Sequence, residues 1–169
     1  MTSVILDTSY CIHLVNEKSS LHNNAWDYFS HFVENAIVMY LSTIVISEYS
    51  VKDSPENLPI ESFRILTFDY QDSVNAGNFM RQIYEKVPKE VNYSNPFQRT
   101  VVKNDVNLLA QAYTKSISGI IAIDSGIKSV YIPAINEFQT RSLTFIDLKV
   151  SCEAFFQKQL KIFPNKKNS

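Results

Sequence analysis

Short apolar runs alternate along this chain with stretches in which apolar residues recur every three or four positions. The runs SVILD (3–7), AIVMYLS (36–42), FRILTF (63–68), GIIAID (119–124) and LTFIDL (143–148) read as strands, because a strand buried on both faces loses the polar–apolar alternation of a half-exposed one. The helical period occupies 9–17, 22–35, 43–52, 71–86, 104–117 and 127–138, with a last segment at 151–161. Pro133 should break or restart the helix that contains it, since proline removes an N–H and crowds the preceding turn. The segment PKEVNYSNPFQR (88–99) carries two prolines and two asparagines and reads as a long surface loop. Strands alternating with helices imply an α/β fold of three layers, α/β/α, around a mostly parallel five-stranded sheet.

Two of the buried runs end in an acid just before a helix: Asp7 after Val4, Ile5 and Leu6, and Asp124 after Ile120, Ile121, Ala122 and Ile123. An acid there can cap the following helix, but Thr8 and Ser9 could cap the first one equally well. In a parallel sheet both acids would emerge at the same carboxyl edge, where ligands of open α/β sheets bind. Two further acids fall on apolar stripes at 100° per residue. Glu48 shares a face with Ile44, Val45 and Val51, and Asp105 shares one with Leu108, Leu109 and Ala112. Asp105 would also sit in a first helical turn, where the helix dipole favours a negative charge.

Four carboxylates converging on one pocket repel one another and need a cation. Oxygen donors without a histidine or cysteine cluster favour Mg²⁺ or Mn²⁺ over zinc. Other acids have ordinary duties: Asp69 reads as a helix cap with an acid three residues on, and Asp147 as a solvent-facing strand residue. His13, His22 and His31 show no ligand spacing and read as packing or surface positions.

Composition narrows the picture without redirecting it. A chain of 169 residues with 45% hydrophobic and 20% charged content is long enough for one domain with a real core. Residues 1–150 form the expected domain, with 151–169 as a C-terminal helix and basic tail. The formal net charge of −1 supplies no global field for a polyanion, so any nucleic acid must be held by a local patch or through a metal. Three glycines cannot write GxGxxG or a Walker A loop. Two isolated cysteines and the lack of an opening secretory pattern point to a reducing cytoplasm. No apolar run approaches the ~20 residues of a membrane span.

The pieces ILDTS, IVISEYS, KNDVNLLAQA and IIAIDSG, followed by LTFIDL, occur in the order seen in PIN-domain ribonucleases, which include the VapC-type toxins of toxin–antitoxin pairs. Together they resemble that family over most of residues 3 to 148. The chain is longer than the compact toxins, and it has Ala122 where the family more often has Thr or Ser two places before the last acid. The resemblance implies a PIN-like fold and endonucleolytic cleavage of RNA with Mg²⁺ or Mn²⁺. It implies Asp7, Glu48, Asp105 and Asp124 as ligands and catalytic groups, with Ser9, Ser125 and Asn104 as supporting polar residues. In that mechanism Asp7, Glu48 and Asp105 position an ion, and Asp124 binds it through water or serves a second one. The ion activates water and stabilises charge on the phosphate. Arg99, Lys103 and Lys128 are the nearest basic residues in sequence and candidates for the RNA backbone. A protein antitoxin and a second copy of the chain are the implied partners, and a membrane is not.

Three alternatives stand beside the toxin. One is a PIN-type RNA-processing nuclease; another is a degenerate PIN module that binds RNA or protein without cutting. An aspartyl-nucleophile phosphohydrolase is the third, but Asp7 lacks the second acid that such chemistry places two residues on.

Overall fold

The computed structural model describes residues 1–86, 96–123, 126–133 and 142–162. Strands β1 (Ser3–Leu6), β2 (Val38–Ser42), β3 (Arg64–Leu66), β4 (Gly119–Ala122) and β5 (Thr144–Asp147) form one sheet in the order β3-β2-β1-β4-β5. Every pairing is parallel. The expected five-stranded α/β architecture is therefore the observed one. All of β1 and β4 is buried, which is why both read as unbroken apolar runs. At Gly119 a Cβ would stand 3.2 Å from the Thr144 carbonyl oxygen, so the missing side chain permits the close approach of β5.

Helices α1 (Thr8–Val15) and α2 (His22–Glu34) link β1 to β2, and α3 (Thr43–Tyr49) links β2 to β3. Helices α4 (Tyr70–Lys86) and α5 (Pro96–Thr114) carry the chain from β3 to β4. That return crosses the sheet in the opposite direction to the first two links. Right-handed crossovers consequently put α1, α2 and α3 on one face and α4 and α5 on the other. The packing agrees: α1 touches α2 and α3, while α4 packs along α5.

The C-terminal helix α6 (Cys152–Ile162) docks on α2. Asn24 holds its approach, donating to the carbonyls of Leu148 (2.6 Å) and Val150 (2.8 Å) and accepting from the Cys152 N–H (3.0 Å). Tyr28 packs against Phe155 and Phe156, and His31 stacks on Phe156 at 3.8 Å. No helix among the described residues is long and apolar enough to cross a membrane.

Four local expectations change. Helix α5 starts at Pro96 rather than 104, so the end of the expected loop is helical. Proline suits a first helical position because its missing N–H has no partner there. Residues 88–95 of that loop lie outside the described residues. Helix α3 stops at Tyr49, leaving Val51 outside it and 81% exposed rather than on the apolar stripe. Strand β2 starts at Val38 because Ala36 turns out of α2 with φ of 53°. Ahead of Pro133 the expected α-helix is instead a π-helical turn, Ile127–Tyr131. The remainder of the expected 127–138 helix, from 134, lies outside the described residues.

Candidate active site

Strand order reverses between β1 and β4: the chain leaves β1 toward β2 on one side, and β4 lies on the other. Leu6 pairs with Ile121, and the Asp7 N–H donates to the Ile121 carbonyl at 3.2 Å. Asp7 thus stands at the carboxyl edge of the sheet, where the strands part to leave a crevice. It is nearly buried, at 9% exposure.

Asp7 does have a structural duty. It is the N-cap of α1, its Oδ2 accepting from the Ser9 N–H at 2.8 Å and also from the Ser9 hydroxyl. The same hydroxyl accepts the Ile123 N–H at 3.2 Å. Ser9 therefore ties the Asp7 carboxylate to the end of β4. Beneath it, burial foremost and then the negative charge of Asp7 push the Cys11 thiol far above its ordinary range, leaving an inert core residue.

Glu48 reaches the same region from α3. Ser42, at the end of β2, caps that helix by accepting the Ile44 N–H at 3.1 Å. The stripe places Val45 in the core and leaves Glu48 half-buried. Its Oε2 accepts from the Thr8 hydroxyl and its Oε1 from the Asn104 side-chain amide. Both donors are neutral, so they orient the carboxylate without cancelling its charge.

Asp105 follows Asn104 on α5 and is half-buried at the start of the stripe formed by Leu108, Leu109 and Ala112, all of them buried. Since α5 begins at Pro96, Asp105 is well beyond the first turn, and the expected support from the helix dipole does not reach it.

The structure thus joins Asp7 to Ser9 and the end of β4, and Glu48 to Thr8 and Asn104. Asp124 and Ser125 lie outside the described residues, directly after Ile123 in the chain. Among the described residues, no three His, Cys, Asp or Glu side chains form a group able to hold an ion. The donors themselves suit a hard cation: oxygen ligands, with a Glu48 whose hydrogen-bond partners are uncharged. Thr8 is the residue that sequence reasoning missed. Only its place directly after Asp7 hinted at it.

The basic candidates differ in their surroundings. Lys103 is exposed on α5 beside Asn104, and Arg99 belongs to the first turn of that helix. Lys128, on the π-helical turn, pairs with Asp147 at 2.8 Å. Asp147 is partly exposed, at 19% of its side chain, and besides Lys128 it accepts the Lys149 N–H at 3.0 Å. Asp69 and Asp72 form the expected reciprocal cap, each accepting the other's N–H at 3.0 Å. The histidines pack: His13 meets the Ser19 hydroxyl, and His22 the His13 carbonyl at 3.2 Å.

No family model and no curated protein matches the sequence. Solved structures do share its fold. A chain of VapBC2 from Rickettsia felis, solved bound to a DNA fragment from the VapBC2 promoter, aligns over 86% of this chain and 99% of its own, with TM-score 0.57 and 15% identity. A chain of DNA-bound VapBC from Salmonella typhimurium aligns over 88% and 99%, at 0.52 and 17%. Mycobacterium tuberculosis VapC20, a Sarcin-Ricin loop cleaving toxin, aligns over 75% and 93%, at 0.50 and 14%. At these identities the likeness is one of fold. The chain has the PIN-like fold of VapC proteins.

Proposed function

We propose that this protein is a Mg²⁺- or Mn²⁺-dependent endoribonuclease, the toxin of a toxin–antitoxin pair, restrained by a protein antitoxin. The observation that carries the reading is Glu48, whose two oxygens are held by neutral donors from α1 and α5 and whose charge is left uncancelled. An oriented carboxylate whose direct partners are uncharged is suited to receive a cation. The fold shared with VapBC chains and with a toxin that cleaves the Sarcin-Ricin loop supports RNA as the substrate class.

Asp7, Glu48 and Asp105, with Asp124, are the groups that would hold the ion. When bound, the ion supplies an activated water and charge stabilisation on the phosphate. The chain's own work is placement. Ser9 orients Asp7 against β4, and β1 and β4 hold their ends fixed because both are wholly buried. Asp7 and Glu48 orient whatever attacks the phosphodiester, and exposed Lys103 meets the flanking phosphates.

The test is cleavage of a structured RNA with and without Mn²⁺, using wild type, Asp7→Asn and Glu48→Gln. Mn²⁺-dependent cleavage by wild type alone is expected. Cleavage that persists in EDTA, or in both variants, would overturn the reading. Expression without an antitoxin should arrest bacterial growth, and the Glu48→Gln chain should be tolerated. Cleavage in vitro with no arrest would favour an RNA-processing nuclease.

A further inference from the structure

Thr8 opens α1 directly after Asp7, and capping makes no demand on its hydroxyl because Asp7 already caps the helix. That hydroxyl is instead spent on Glu48, a residue 40 positions away in the chain. On the other side, Asn104 turns its amide to the second Glu48 oxygen across a separation of 56 residues. Both contacts are half-buried, and both donors come from helices other than the one that carries Glu48. One carboxylate thereby joins α1, α3 and α5, helices that right-handed crossovers place on opposite faces of the sheet.

We propose that Thr8 and Asn104 are positioning residues that hold Glu48 in its ion-binding pose before any ion arrives, and so set the affinity of the site for divalent cations. The proposal rests on the reading of this site as a divalent-cation centre. A glutamate has three side-chain torsions to immobilise, and pre-ordering them removes that cost from binding. The choice of donors matters as much as their number. A lysine would order the carboxylate equally well and cancel the charge that attracts the cation, whereas a hydroxyl and an amide order it and leave the charge. Lys103, the neighbour of Asn104, is exposed and makes no such contact. Asn104 and the candidate ligand Asp105 are consecutive on α5, so the clamp also fixes α5 against Glu48.

Two measurements test this. The first needs no metal: the Asn104 side-chain amide protons, followed by NMR, should exchange slowly with solvent in wild type and faster in Glu48→Ala. Unchanged exchange would overturn the clamp. The second is Mn²⁺ titration by calorimetry on Thr8→Val, Thr8→Ser and Asn104→Ala. Thr8→Val and Asn104→Ala should each weaken Mn²⁺ binding about tenfold, the low end for groups that orient metal ligands, and Thr8→Ser should restore it. In cleavage, the half-saturating Mn²⁺ concentration should rise by a similar factor, with the rate at saturating Mn²⁺ within about threefold of wild type. A lowered melting temperature with unchanged Mn²⁺ affinity would make both residues merely structural and overturn the proposal. Mn²⁺ binding that the variants weaken, in a wild type that cuts no RNA, would uphold the clamp and sink the nuclease. A wild type that binds no Mn²⁺ sinks both.

Discussion

Two pairs of acids sit near the ends of strands, each with an aspartate that caps a helix, and their remaining partners differ. After β3, Asp69 and Asp72 cap the start of α4 reciprocally, each accepting the other's N–H, and Lys115 pairs with Asp69 at 2.5 Å, while Asp72 Oδ1 stays buried without a hydrogen-bond partner among the described residues. At the edge of β1 and β2, Asp7 and Glu48 are oriented by side chains of Ser9, Thr8 and Asn104. The first arrangement caps a helix start and gives Asp69 a cation. The second orients Glu48 with uncharged donors alone. All four are carboxylates, and Asp7 caps a helix as Asp69 does; the difference is that Lys115 pairs with Asp69, whereas the donors to Glu48 are uncharged.

The comparison breaks most sharply on cleavage. Asp7→Asn or Glu48→Gln should reduce Mn²⁺-dependent RNA cleavage ~10³-fold, equivalent to about 4 kcal/mol of transition-state stabilisation. Asp69→Asn should leave it within about twofold, since Asp69 serves a cap on α4. A large loss in Asp69→Asn would erase the distinction. Because Asp7 also caps α1, Asp7→Asn is the appropriate variant: asparagine keeps a capping oxygen and removes the charge.

Stability should show the reverse order. Asp69→Ala should lower the melting temperature by about 2–4 °C, through the lost cap and the lost ion pair. The Lys115 hydrogen bond, chiefly, and the Asp72 N–H hold the Asp69 carboxyl below its ordinary value of 3.8. A carboxyl depressed in the folded state stabilises the fold at every pH above its unfolded value. That contribution is lost as pH falls from about 4 through the folded value. Melting curves of wild type should therefore drop more steeply below about pH 4 than those of Asp69→Asn. Parallel curves would show that the Lys115 pair contributes nothing.

The sequence disclosed β1 and β4 well because buried parallel strands write themselves as apolar runs, and both are wholly buried. Their order could not be read, since pairing is a long-range choice that no local pattern records. Asp69 was legible because a capping box is a four-residue event. Thr8 was not: its bond to Glu48 spans 40 residues and leaves no periodic trace. Asp105 was read onto its apolar stripe but at the wrong point of its helix, because Pro96 looked like loop punctuation when it was a helix start. The partner of Asp147 was not legible for a related reason, as Lys128 comes from a turn 19 residues earlier.

The smallest effect concerns the lysines, and it extends the same contrast to cations. Lys128 is engaged by Asp147 at 2.8 Å, while Lys103 is exposed beside the residue that holds Glu48. A lysine already paired with a carboxylate has less net charge to offer a phosphate. Burial opposes ionisation of Asp147, but its bonds to Lys128 and the Lys149 N–H outweigh that and hold its carboxyl below the ordinary range, so the pair persists at neutral pH. Lys128→Ala should change stability by less than about 1 kcal/mol, as for other exposed ion pairs. In salt titrations of single-stranded RNA binding, Lys103→Ala should reduce the slope of log K against log salt by about 0.7, the value for one released counterion. Lys128→Ala should reduce it by less. The opposite order would mean that RNA takes Lys128 away from Asp147, and the π-helical turn would then carry the phosphate contact.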